Sequence, residues 1–376
     1  MMDKLPDGLL GEILLQSPFP FLLHCKSFNK QFLRVISDPL FIHSRPTHPQ
    51  SLPSAFERHA LFLLFHLHLD SNYNKIMLFP VDSNNNTHIL RGSDFLPRCW
   101  PLDWDRVKVK GTHYDLVLCR THNYCYTNYF VCNPFTKQHV ALPKLKKSHA
   151  QELPRVGFIC DQSLSRFRVV HIPVNCFQYV SKFEVNLFSS ETGEWTKFEV
   201  NMSAFEVGKA LLSNTSRNIF IYNEKFVWWM GLHGFFVCDP FNGGVWKIIP
   251  MRIPCPFLDV SVQWNTCNGQ VKACEISKTR SEVLVYEFVN FEEGSWFTKQ
   301  YDFEEGEVNI KNMNLLAFHP HCENKMYLYS KKCIFLCDFE NQKLECVFTA
   351  RVDEDMRISN NVMSLVLPKW PSQILP

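Results

Sequence analysis

The sequence predicts a short α-helical segment followed by an all-β propeller of six blades, and three observations carry the prediction. Apolar residues recur at helical spacing from Leu5 to about Ile42. Beyond a polar, proline-rich stretch the chain changes to β-branched and aromatic runs cut by turns. Those runs return about every fifty residues, the period of propeller blades. The boundaries drawn from this are 1–45 for three short helices, 46–56 for a linker and 57–376 for the propeller.

The first helix places Leu9, Leu10, Ile13 and Leu14 on one side, and Asp7 is expected to cap it. Pro18 stops that helix, and Pro20 suits the first turn of a second carrying Leu22, Leu23 and Cys25. A third holds Phe32, Val35 and Ile36 and ends at Ser37-Asp38-Pro39. A segment of about forty residues rarely buries enough surface to fold alone. This one carries more large apolar side chains than a single three-helix core uses, so a partner surface is implied. A helical cap packed on its own downstream domain is the alternative.

After the Pro46 to Pro53 linker the repeats begin. Val131-Cys132-Asn133-Pro134-Phe135-Thr136 leads to Val140-Ala141-Leu142-Pro143, and Val237-Cys238-Asp239-Pro240-Phe241-Asn242 leads to Trp246-Lys247-Ile248-Ile249-Pro250. Three units share a Gly-x-Trp exit, at Gly193-Glu194-Trp195, Gly244-Val245-Trp246 and Gly294-Ser295-Trp296. Val131, Ile76-Met77-Leu78-Phe79 and Ile334-Phe335-Leu336-Cys337-Asp338 extend the period to six units. Radial stacking of such sheets covers both faces of each without leaving long open edges. Val362 to Leu367 is expected to close the ring by pairing near Leu61 to Leu69. The tryptophans are expected to pack between blades, because aromatics dominate core energetics by area. Asn133 and Asp239, each before proline, are expected to form turns.

Composition removes several functions. A formal net charge of +2 leaves no electrostatic footprint for nucleic acid, and Lys144-Leu145-Lys146-Lys147 is too short a basic run to supply one. The longest apolar stretch, Ala60 to Leu69, is about half of a membrane span and reads as a strand. Asp3, Asp7 and Glu12 interrupt the charged and apolar zones of any signal peptide. With 15 cysteines, an odd number, reduced thiols inside the cell, in nucleus or cytoplasm, are the expectation. The sequons at Asn85, Asn201 and Asn214 are then unused.

Catalytic and metal signatures are weak. Cys333 and Cys337 lie four apart on a strand, Cys119, Cys125 and Cys132 are scattered, and no C-x-x-C pair accompanies them, so buried thiols are expected. His319-Pro320-His321-Cys322 is the densest cluster but lacks a matching second one, and His66 with His68 is two ligands only. There is no phosphate-binding glycine loop and no Gly-x-Ser-x-Gly elbow. Glu292-Glu293 and Glu304-Glu305-Gly306-Glu307 read as solvated loop charge. No metal, cofactor or catalytic residue is expected.

Leu5-Pro6-Asp7-Gly8-Leu9-Leu10-Gly11-Glu12-Ile13-Leu14, Leu22-Leu23-His24-Cys25-Lys26, Asn29-Lys30-Gln31-Phe32 and Ile36-Ser37-Asp38-Pro39-Leu40-Phe41 together resemble an F-box of the plant type. Cys132-Asn133-Pro134, Phe188-Ser189-Ser190-Glu191-Thr192-Gly193-Glu194-Trp195 and Leu367-Pro368-Lys369-Trp370-Pro371 are similar to the F-box-associated, kelch-type propeller of the same proteins. The resemblance covers nearly the whole chain. It implies that the F-box docks a Skp-family adaptor and through it a cullin and a RING subunit, while the propeller presents a protein target for ubiquitination. Leu5, Pro6, Leu10, Ile13, Leu14 and Leu22 match the motif positions expected at the adaptor. Gly8, Pro20 and Phe32 depart from the family pattern, and a double glycine occurs once, at Gly243-Gly244, so the kelch label is loose.

Two other classes remain open on sequence. A propeller enzyme or carbohydrate-binding protein with a helical start is separated from the receptor reading by adaptor binding. An F-box protein with a non-degradative role is not separated from it by sequence.

Overall fold

The computed structural model describes residues 5–15, 25, 30–36, 38, 41, 61–68, 74–80, 90–91, 107–122, 126–134, 138–146, 154–161, 166–173, 182–201, 219–229, 234–250, 263–267, 269–277, 282–303, 310, 313–319, 322–330, 333–349, 357–358 and 363–366. Helices α1 (Asp7–Leu15) and α2 (Lys30–Ile36) pack against each other. The middle helix of the expected three lies outside the described residues except for Cys25, and so does the linker.

Strands β1 (Leu61–His68), β2 (Asn74–Pro80) and β3 (Leu90–Arg91) open the β region, and five blades follow. Blade 1 is β4 (Lys108–His113), β5 (Leu116–His122), β6 (Tyr126–Cys132) and β7 (His139–Ala141), with β8 (Leu145–Lys146) also on β6. Blade 2 is β9 (Arg155–Asp161), β10 (Arg166–Ile172), β11 (Lys182–Ser189) and β12 (Glu194–Asn201). Blade 3 is β13 (Ile219–Tyr222), β14 (Lys225–Trp229), β15 (Phe235–Cys238) and β16 (Trp246–Ile249). Blade 4 is β17 (Gln263–Cys267), β18 (Gln270–Ile276), β19 (Glu282–Asn290) and β20 (Ser295–Asp302). Blade 5 is β21 (Asn314–Phe318), β22 (Lys325–Ser330), β23 (Cys333–Asp338) and β24 (Lys343–Thr349). Every pairing within them is antiparallel and, apart from β8 on β6, joins chain neighbours, as hairpins require.

The protein is an all-β propeller, and the expected blade count is corrected. Five blades, not six, are each wound from one continuous stretch of chain. The unit at Ile76 to Phe79 instead belongs to a composite sheet, in which β25 (Arg357–Ile358) and β26 (Met363–Val366) from the far end of the chain pair with β1. Leu61 is in register with Val366 and Leu64 with Met363, which is the pairing anticipated for the 362–367 run. The repeat period counts units but does not say which end of the chain completes each one. The strands that begin the blades converge: β26 lies by β4, β4 by β9, β9 by β13, β13 by β17 and β17 by β21.

The core is a series of clusters between neighbouring blades. Leu116, Leu118, Tyr129 and Val131 of blade 1 meet Phe158, Phe167 and Val169 of blade 2. Comparable clusters join blades 2 and 3, 3 and 4, and 4 and 5. The tryptophans belong to these seams. Trp195 packs on Tyr129 and Phe188 and donates from Nε1 to the Pro143 carbonyl of blade 1 at 2.8 Å. Trp246 stacks on Phe236 and Trp296 leans on Tyr286.

The Gly-x-Trp recurrence is a turn requirement. Gly193, Gly244 and Gly294 close the third hairpin of blades 2, 3 and 4 at φ of 69°, 76° and 68°, a region costly for a residue with Cβ. Asp239 Oδ1 accepts from the backbone N–H of Phe241 and Asn242, and Asn290 Oδ1 does the same for Glu292 and Glu293. Asp239 is thus the turn former expected of it. Blade 5 repeats the arrangement with Asp338 bonded to Asn341, yet Gln342 occupies the left-handed position at φ 51°. Gln342→Gly is therefore expected to raise stability by about 0.5–1 kcal/mol, relief of left-handed strain outweighing the entropy of glycine. A shift of the urea midpoint checks it.

Candidate functional site: an apolar stripe on the first helix

Helix α1 begins at Pro6, whose carbonyl accepts the first helical bond from Leu10 N–H at 3.0 Å. Asp7 is one residue inside the helix and not its cap. Its carboxylate instead accepts from Gln31 Nε2 at 2.9 Å and pairs with Arg34, and Gln31 also donates to the Leu5 carbonyl. The short reach to α2 wins over capping because two donors lie there. The Gln31 hydrogen bond, with the Arg34 charge, holds the Asp7 carboxyl below its ordinary value. This tie is solvent-exposed and is expected to be weak and salt-sensitive.

The apolar residues of α1 divide. Leu10 and Leu14 turn inward and form the module's core with Cys25, Val35, Ile36 and Phe41, and Phe32 packs beside them. Leu9 and Ile13, four apart on α1, form a stripe 54% and 56% exposed, and Leu5, two residues before the helix, is 45% exposed. Pro6 is exposed beside it. Of the residues expected at an adaptor, the structure therefore exposes Leu5, Pro6 and Ile13, buries Leu10 and Leu14, and leaves Leu22 outside the described residues. Leu9 completes the stripe and was not among them, although its spacing from Leu5 and Ile13 signals it. Gly8 has open space where a Cβ would stand, so it lowers helix propensity without serving packing, while Gly11 packs against Phe41.

In the propeller, the clusters singled out in the sequence are structural. Cys119, Cys132, Cys160, Cys238, Cys267, Cys274 and Cys337 are buried and in no disulfide. Burial pushes Cys238 and Cys337 up to about 12 and Cys267 up to about 11, far from a thiolate nucleophile. His319 Nδ1 accepts from Cys322 N–H at 3.0 Å and closes a turn, with the ring stacked on Tyr327. Glu292 is occupied by Lys247 across the blade 3 to blade 4 seam. Glu304 to Glu307, Cys125, Pro320, His321 and Lys147 lie outside the described residues, as do the side chains of His66 and His68. Among the described residues no group of three or more His, Cys, Asp or Glu is placed to hold a metal, and no helix is long and apolar enough to cross a membrane.

Two polar features escaped the sequence reading. Asn133 does more than shape a turn: its Nδ2 donates at 2.6 Å to Asp115, a fully buried carboxylate in the first hairpin of the same blade. His113 Nδ1 accepts from Cys160 N–H of blade 2 at 3.2 Å, and burial holds the imidazole down at about 4. It is a neutral strut between two blades. Neither has a sequence signature, because each depends on a hairpin tip meeting another strand.

A helical module presenting an apolar stripe, tied in one chain to a propeller, fits one class: F-box proteins of the propeller type. The family model described as "F-box protein At3g26010-like, beta-propeller" matches residues 106–370, and the chain belongs to that family. It is a plant F-box protein with a propeller domain. A relative from Arabidopsis thaliana, named "Putative F-box protein At1g47790", is 21% identical over 378 residues, covering 96% of this chain and 89% of its own. Among solved structures, a chain of a nidogen/laminin complex aligns with 81% of this chain and 98% of its own at 8% identity and a TM-score of 0.43. A protein from Lactobacillus plantarum aligns with 77% and 82% at 9% identity and 0.44. These structural likenesses are too loose for functional argument.

Proposed function

We propose that this chain is the substrate-recognition subunit of an SCF-type E3 ubiquitin ligase. The helical module, residues 1–45, docks a Skp-family adaptor and through it cullin and RING subunits. Past the 46–56 linker, the propeller of 57–376 holds a protein target. The subunit is non-catalytic: it raises the effective concentration of a target lysine near the charged conjugating enzyme. Its buried thiols, in no disulfide, support an intracellular setting, nucleus or cytoplasm.

The observation that carries this reading is the apolar stripe of Leu9 and Ile13, with Leu5 just ahead of it in the chain, left exposed on a module whose other side already has a core. Apolar anchors of this kind supply most of the affinity of a small interface. In a pull-down with purified plant Skp-family adaptor, the unaltered chain is expected to bind. Leu9→Asp with Ile13→Asp is expected to weaken binding at least about thirtyfold without unfolding the module, since both side chains already face water. Leu14→Ala is expected to lose binding by a different route, destabilising the module by about 2–5 kcal/mol through a cavity, visible as lost helical signal. Full binding by the double aspartate variant would remove the stripe as the contact. No binding by the unaltered chain would sink the receptor reading.

A further inference from the structure

Three cations are buried among the described residues: Arg120 at 2%, Arg168 at 8% and Lys272 at 0% exposure. Two are compensated. Lys272 Nζ lies 2.7 Å from Glu287. Arg168 pairs with Glu191, donates to the Pro240 carbonyl and lies over the Phe241 ring. Arg120 is different: its Nε is buried with no hydrogen-bond partner, and among the described residues no carboxylate pairs with its guanidinium. A charge taken from water without a counter-charge is among the most unfavourable arrangements a core can hold.

The neighbours of Arg120 sharpen the anomaly. Directly opposite it on β4 is Lys108, which is exposed, so two positive charges share one sheet face side by side. Like charges so placed repel. Opposite it on β6 is Tyr129, whose hydroxyl meets His171 Nδ1 of blade 2 at 2.9 Å. Alternation along β5 puts Arg120 on the face of Leu116 and Leu118, the face that packs against blade 2. It therefore sits at the end of the blade 1 to blade 2 seam, beside Tyr129 on one strand and Lys108 on the other, with Lys108 toward solvent.

We propose that Arg120 and Lys108 form a binding site for a small oxyanion, the carboxylate or phosphate group of a ligand. The planar guanidinium matches two oxygens of such a group, and the lysine adds a point charge at the mouth. The anion supplies the counter-charge that Arg168 and Lys272 obtain from glutamates. The site is independent of the adaptor contact, and its failure leaves the receptor reading standing.

The test compares thermal unfolding of the full chain in sodium phosphate, sodium acetate and sodium chloride at equal pH and ionic strength. A rise of at least about 2 °C over chloride is expected in phosphate, acetate or both. The rise is expected to vanish in Arg120→Met, which keeps the stem but not the charge, and to shrink in Lys108→Gln. A rise with phosphate alone assigns the site to phosphate groups, and with acetate alone to carboxylates. Equal midpoints in all three salts, or an equal rise in Arg120→Met from general salt effects, overturn the proposal. Should Arg120→Met not fold, phosphorus NMR of phosphate titrated into the unaltered chain and Lys108→Gln decides. Broadening that weakens at least about threefold in the variant supports the site; equal broadening overturns it, as does absent broadening together with no rise of the unaltered chain's midpoint in acetate.

Discussion

Replacing Gly157 with valine is expected to destabilise the propeller by about 3 kcal/mol or more. Valine favours strands and glycine weakens them, so local propensity argues for the opposite sign. Packing decides. Gly157 lies on β9, where the first strands of the blades converge, and a Cβ there would stand 2.7 Å from Phe226, 2.8 Å from Ile219 and 2.9 Å from Val170. These belong to the cluster joining blades 2 and 3, in which Phe226 and Val170 are almost fully buried. Those two cannot withdraw without displacing another core side chain. Urea unfolding of the variant measures the effect directly, and a midpoint equal to or above that of the unaltered chain would show that the seam is looser than its geometry.

The second large effect is one of pH. His113 has its folded value held at about 4 against an ordinary 6.5, burial being the main cause. Between those values the unfolded chain binds a proton that the folded chain does not, so stability falls as pH drops through that window. The loss reaches up to about 3 kcal/mol near pH 4. Protonation also removes the acceptor that Nδ1 offers to Cys160 N–H. His113→Asn keeps an acceptor and removes the titration. Its unfolding free energy is expected to decline less between pH 7 and pH 5 than that of the unaltered chain. Parallel declines in the two proteins would assign the acid sensitivity to other groups.

Much of this protein is set by local chemistry and was therefore legible in its sequence. The helical module, the change to β structure, the repeat and its turns follow from spacing and from residues with special backbone preferences. Gly193, Gly244 and Gly294 mark the third hairpins because those positions need positive φ. Trp195 and its counterparts mark the seams because only large apolar area fills them. The terminal pairing was also readable, since an apolar run at 362–367 had to pair with something, and Leu61 to Leu64 took it.

What the sequence left open was which side of an element meets which neighbour. Leu9, Leu10, Ile13 and Leu14 are equally apolar, and helical period alone does not distinguish a core face from a docking face. Val35, Ile36 and Phe41 cover Leu10 and Leu14, and by covering them leave Leu9 and Ile13 in water. Arg120 likewise reads as an ordinary strand residue until β4 and β6 bury it beside Lys108. Elements and turns depend on residues near in sequence, so composition and spacing determine them. Exposure of a stripe and isolation of a charge depend on residues tens of positions apart, and only the tertiary structure decides those.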